Sequence, residues 1–181
     1  MNMRKWNGIL TAVILVLFLA HGIMGSFQLF GVGSNALKHT ARAAMTLVLL
    51  HGLIGAKLTV DTIRTARKTG VSYIRRNLLF WARRISGFAL LVFLVLHMTA
   101  FSAGSANAYR LKWFTTGRLV TQLLMVLTLA VHLISNIRPA LITFGIRGLQ
   151  KKTGHILFAL SVLLLFMAAA LVIYYLRWNR I

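Results

Sequence analysis

Any chemistry in this 181-residue chain must rest on its six histidines, because the other reactive side chains are nearly absent. The chain has no Cys, which excludes thiolate zinc sites, iron–sulfur ligation within the chain and cysteine nucleophiles. Asp61 is its one acid, so paired-carboxylate catalysis is excluded and only one carboxylate could ever ligate a metal. Four of the histidines, His21, His51, His97 and His132, lie well inside long apolar runs. An ionisable side chain in such a run is costly and marks a functional position by default. The bland reading is a hydrogen bond between helices. One such residue on each of four successive runs weighs against it. Neutral imidazole is the commonest metal ligand, and two axial imidazoles hold b-type haem.

The elements that must position these rings follow from composition. The chain is 59% hydrophobic and 12% charged, with a mean hydropathy of +0.79; an ordinary soluble domain carries about a quarter charged residues. A bilayer-spanning helix takes about 20 predominantly apolar residues, and the runs near 8–30, 41–60, 80–102, 118–138 and 154–176 meet that requirement. The expectation is an all-α fold: an integral membrane bundle of five transmembrane helices, with a four-helix haem-binding core plus a fifth helix, forming one domain over 1–181. The first run follows Arg4 and Lys5 as a signal peptide would. It continues beyond a normal signal core, and Phe18-Leu19-Ala20 is a poor cleavage site, so it is read as a retained helix.

Basic residues set the orientation. With the N-terminus inside, 14 of the Lys and Arg fall on the cytoplasmic side and 7 outside, which favours N-in and C-out. The densest basic cluster lies in the connection over 61–79 and its flanks, including Arg64, Arg67, Lys68, Arg75 and Arg76. Such a cluster contacts anionic lipid, or receives an acidic soluble partner. No recognition module for nucleic acid accompanies it.

Depth sorts the four rings into pairs. At 1.5 Å per residue, His21 and His97 each lie about 14 Å from the outer face. His51 and His132 lie deeper, at about 17 and 23 Å. In an up-down-up-down bundle, spans one and three are diagonal, as are two and four. Diagonal axes lie about 13 Å apart when neighbours are 8–10 Å apart, a gap that suits an iron between two imidazoles. Two haems at two depths would form a transmembrane electron path. A single zinc site is disfavoured, since the four rings divide between levels.

With these residues in view, the chain resembles the five-helix, two-haem cytochrome b anchor of the succinate dehydrogenase and fumarate reductase family. The resemblance rests on one His in each of the first four spans and on N-in topology. Two further stretches support it: Arg83-Arg84-Ile85-Ser86-Gly87 leading into the His97 helix, and Asn136-Ile137-Arg138-Pro139-Ala140 after the His132 helix. It covers nearly the whole chain. The layout differs from cytochrome b of quinol–cytochrome c reductases, where two helices each carry two ligands. The resemblance implies that His21 and His97 hold the iron of a distal haem b, and His51 and His132 that of a proximal one. It also implies a cytoplasmic FAD flavoprotein and an iron–sulfur subunit as partners, and a membrane quinone, menaquinone above all, as the redox substrate. The chain itself would not convert succinate or fumarate, and its place would be the bacterial cytoplasmic membrane. Haem propionates would find partners among Arg84, Ser86, Lys57 and Arg138. Two other readings stay open: the same scaffold serving a different flavoprotein reductase, and a haem-free structural membrane anchor.

Remaining features carry less. His21-Gly22-Ile23-Met24-Gly25 is echoed by His51-Gly52-Leu53-Ile54-Gly55, and a glycine one turn from each His lets a flat ligand or another backbone approach. The 31–40 connection reads as a turn around Gly31-Val32-Gly33-Ser34-Asn35, with His39 beside it as an interface residue or a proton-handling group. His155 opens span five, where a headgroup-level role is expected. Asp61, between Lys57 and Arg64, reads as an interfacial ion-pair member. Trp6, Trp81, Trp113 and Trp178 fall at the interfaces, as an aromatic belt requires.

Overall fold

The computed structural model describes residues 3–32, 37–70, 77–101, 114–145, 148 and 151–178, and of 37–40 and 178 the backbone alone. Five helices account for nearly all of them: α1 (Met3–Leu29), α2 (Leu37–Lys68), α3 (Leu78–Phe101), α4 (Thr116–Thr143) and α5 (Thr153–Trp178). All five are long and apolar enough to cross a membrane, so the chain is an all-α, multi-pass membrane bundle. The reason is local: a backbone in hydrocarbon must satisfy its own polar groups, and an uninterrupted helix does so. Side chains follow the same rule. Ser26, Thr59, Thr62, Thr128 and Ser161 each donate to the carbonyl four residues earlier, at 2.6–2.9 Å.

Helix ends carry their expected signals. Asn77 Oδ1 accepts from the Phe80 amide at 3.0 Å and opens α3, and Thr115 caps α4 through the Arg118 amide at 3.3 Å. Gly31 and Gly70, at φ +88° and +67°, supply the left-handed residue that ends α1 and α2.

Several boundaries differ from the sequence expectation: α1 begins at Met3 rather than 8 and α2 at Leu37 rather than 41, and two helices, α2 and α4, end well past the expected positions. The second span was placed at 41–60, yet α2 continues to Lys68. Its last turns are polar but contain no helix breaker before Gly70, so the helix runs on past the apolar stretch. The fourth span is expected over 118–138, yet α4 continues through Pro139 to Thr143. A proline there removes a single backbone donor near the helix end, and Thr143 Oγ1 donates to the Pro139 carbonyl at 2.9 Å in the turn that follows. The stretch 136–140, expected after the His132 helix, therefore lies inside α4, and 83–87 lies near the start of α3.

Extensive packing joins α1 with α2, α3 with α4, and α5 with both α1 and α4, while α2–α3 and α1–α4 contacts are lighter. The first four helices thus close a ring, with α1 opposite α3 and α2 opposite α4, and α5 fills the groove between α1 and α4. Gly8 at the start of α1 meets Thr143 at the end of α4, and Thr116 at the start of α4 bonds Tyr175 near the end of α5 at 2.8 Å. These contacts set α1 antiparallel to α4, and α4 antiparallel to α5. The most buried apolar cluster, Phe114, Val126, Leu164, Leu171 and Tyr174, joins α5 to α4. An aromatic chain runs from it toward the centre, with Tyr174–Phe114, Phe114–Phe101 and Phe101–His97 ring centres 5.3, 5.7 and 5.0 Å apart. Most other large apolar side chains, such as Val16, Leu53, Val92 and Leu165, face outward, as lipid-facing residues do.

Candidate functional site

The ring of four helices brings the histidines together in two pairs. His21 on α1 and His97 on α3 have ring centres 6.0 Å apart, with planes crossing at 74°. His51 on α2 and His132 on α4 are 6.5 Å apart, with planes at 89°. Each pair joins diagonal helices, and these are the partners that the depths pick out. Among the described residues, no three His or Asp side chains converge on one point. The arrangement therefore offers two separate two-imidazole sites.

Hydrogen bonds settle which nitrogen of three rings is free. His132 Nδ1 lies 3.1 Å from Ser86 Oγ, whose single proton goes to the Ala82 carbonyl at 2.5 Å. The contact must then be an imidazole N–H donating to the hydroxyl oxygen. The same logic holds at His51. Its Nδ1 lies 3.5 Å from Thr11 Oγ1, while that hydroxyl donates to the Asn7 carbonyl at 2.8 Å. His97 Nδ1 donates to Gln122 Oε1 at 2.7 Å. In all three rings Nδ1 carries the proton and Nε2 keeps its lone pair, the state a metal-ligating histidine adopts. His21 Nδ1 is buried with no partner. Thr11 and Gln122 escape the sequence reading. The only signal is a polar residue in an apolar run, and a serine or threonine there usually bonds its own helix.

The spacing can be tested against a shared metal. An imidazole–metal bond of about 2.0 Å on each side, plus about 1.1 Å from nitrogen to ring centre, puts two ring centres about 6 Å apart. The observed 6.0 and 6.5 Å fit. Proximity of the two rings alone also occurs in a plain interhelical contact. The shared Nδ1–H state is the added feature.

Arg84 lies beside the second pair. Its guanidinium carbon sits 5.3 Å from the centre of the Phe80 ring, and its Nη1 is the nearest atom, at 3.9 Å, to a Cβ built on Gly55, one turn from His51. Arg84 Nε is buried without a hydrogen-bond partner. Ser86 is 5% exposed and engaged by His132, so the structure gives it a neighbour other than the acid group expected for it. Lys57 and Arg138 are exposed.

The glycines divide differently from the sequence echo. A Cβ on Gly25 meets nothing within 4 Å, and one on Gly55 only Arg84. The tight approaches are at Gly8, at Gly22 against Met167, and at Gly87, where a Cβ would lie 3.2 Å from His132 Cε1. His155 is exposed at the start of α5 and His39 is in the first turn of α2, its side chain outside the described residues. Gly33, Ser34, Asn35, Arg75, Arg76 and Trp113 also lie outside them, as does the Trp178 side chain, whereas Trp6 is 51% exposed. No protein-family model, curated protein or solved structure matches this chain.

Proposed function

We propose that this chain is a membrane electron-transfer subunit holding two haem b groups, one between His21 and His97 and one between His51 and His132. The observation that carries the proposal is the pair of diagonal His couples at the spacing of a shared iron, with Nδ1 protonated in three of the four rings. Bis-imidazole haem supplies a reversible one-electron couple. The protein's part is to aim four Nε2 atoms, keep water away with the apolar walls of α1 to α4, and balance the carboxylates of the cofactor. Arg84, on α3, suits that last task, since its Nε is buried without a partner and the chain's one acid, Asp61, lies on α2.

The two sites lie at different depths, which supports electron passage across the bilayer rather than storage. The resemblance set out above supplies the ends of that path: a cytoplasmic FAD flavoprotein with its iron–sulfur subunit, of succinate dehydrogenase or fumarate reductase type, and a membrane quinone such as menaquinone. Excess basic charge on one side supports an orientation with the N-terminus inside, and the resemblance implies the bacterial cytoplasmic membrane. A different flavoprotein reductase would fit the same scaffold, since no residue of this chain is expected to touch the organic substrate.

The test is a reduced-minus-oxidised visible spectrum of the purified full chain from haem-replete cells, with haem quantified as the pyridine haemochrome. Two haem b per chain is expected. A colourless preparation would overturn the proposal and leave the histidines as interhelical contacts.

A further inference from the structure

Gln122 is fully buried, at 0% exposure, in the first turns of α4. Its Oε1 accepts the His97 Nδ1 proton at 2.7 Å, the shortest of the hydrogen bonds made by the four paired rings, and its Nε2 has no partner. A buried amide with an unsatisfied N–H₂ is costly, and an apolar side chain of the same size would avoid that cost. What the amide does at this position is grip one imidazole. No other ring of the four receives a carboxamide: His132 and His51 have hydroxyls at 3.1 and 3.5 Å, and His21 Nδ1 has nothing.

We infer that Gln122 is the positioning residue of the His21–His97 site, fixing the His97 ring with Nε2 toward the iron and raising its strength as an electron donor. The inference rests on the dihaem reading. An acceptor on Nδ1–H makes the opposite nitrogen more basic, and a more basic axial ligand stabilises the ferric state. Gln122 therefore holds the reduction potential of this one haem below the value it would take without the amide. His21 has no partner on Nδ1 to do the same, so the effect falls on a single ligand of a single site.

The experiment is an optical redox titration of the purified, haem-loaded full chain, with low-spin EPR of the oxidised form. The haem of this site is identified as the component lost in His97→Ala. In Gln122→Met, which keeps the volume and removes the acceptor, the midpoint of that component shifts upward and its EPR signal changes, while the other haem is unmoved. Gln122→Glu keeps an acceptor oxygen at the same reach, and retains both haem content and a midpoint no higher than the parent's. A midpoint unchanged in Gln122→Met, or haem loss equal in both variants, overturns the inference with the dihaem reading intact. A parent chain without haem overturns both.

Discussion

A hydroxyl has one proton to give, and at two positions here that proton goes to a backbone carbonyl, leaving the oxygen to receive an imidazole N–H. Ser86 and Thr11 thereby orient rings on neighbouring helices, His132 and His51. If each pair of rings shares one iron, removing either ring of a pair removes the same haem. His21→Ala and His97→Ala should each abolish one component of the difference spectrum, and His51→Ala and His132→Ala each the other. Loss of a common component in His21→Ala and His132→Ala would break the pairing. Removing an orienting group should do less. Ser86→Ala should weaken retention of the His51–His132 haem, on the order of the 10- to 100-fold typical of outer partners, leaving the other haem in place. Haem content after extended dialysis against apomyoglobin reads this directly. The four imidazoles were legible in the sequence because an ionisable group in an apolar run announces itself. Their orienting partners were less so: Ser86 stood out only as a propionate contact, and Thr11 looks no different from Thr59, Thr62 or Ser161, whose hydroxyls serve only their own helix.

At the scale of the helix, the five spans and their order were legible from hydropathy, whereas ends and contact faces were not. Hydropathy falls before α2 stops, because a helix needs a breaker to end rather than a polar residue, and Gly70 is the first one. Contact faces depend on which side of each helix meets its neighbour, and the two His-Gly echoes look alike in sequence. In the structure, Gly25 has open space around its Cβ position, while Gly87, outside the echo, sits against the His132 ring. The added methyl of Gly87→Ala would reach 3.2 Å from Cε1, and displace the ring without removing a ligand. Gly87→Ala should therefore perturb the absorption band of the His51–His132 haem and leave that of the other haem unchanged. Gly8 tests packing alone, because its Cβ would lie 2.8 Å from the short, branched Thr143 side chain. Gly8→Ala should destabilise the bundle by about 1–3 kcal/mol, the usual cost of overpacking. A lower midpoint in detergent thermal melts, with both haem spectra intact before heating, is the expected result.

For the whole molecule the dominant quantity is charge: +20 formal, with a single acid. Three of the chain's 21 basic residues, Arg64, Arg67 and Lys68, lie where α2 extends beyond the membrane thickness. Its 32 residues make a rod of about 48 Å at 1.5 Å per residue, against a hydrocarbon core of about 30 Å. Lys57, Arg64 and Lys68 follow helical spacing on one stripe and Arg67 lies beside them, all exposed. A rigid cationic projection differs from a flexible basic loop, because its charges hold fixed positions that a folded acidic surface can match. Lipid headgroups impose no such register. Charge reversal therefore separates the two roles. The triple variant Arg64→Glu, Arg67→Glu and Lys68→Glu should retain both haem bands and membrane insertion, since these side chains lie outside the bundle. It should lose co-purification with the proposed flavoprotein and iron–sulfur subunits. The parent's association with them should itself weaken between 50 and 500 mM salt, on the order expected when the Debye length falls below about 10 Å. If the triple variant binds those subunits as the parent does, the basic end of α2 serves the bilayer alone.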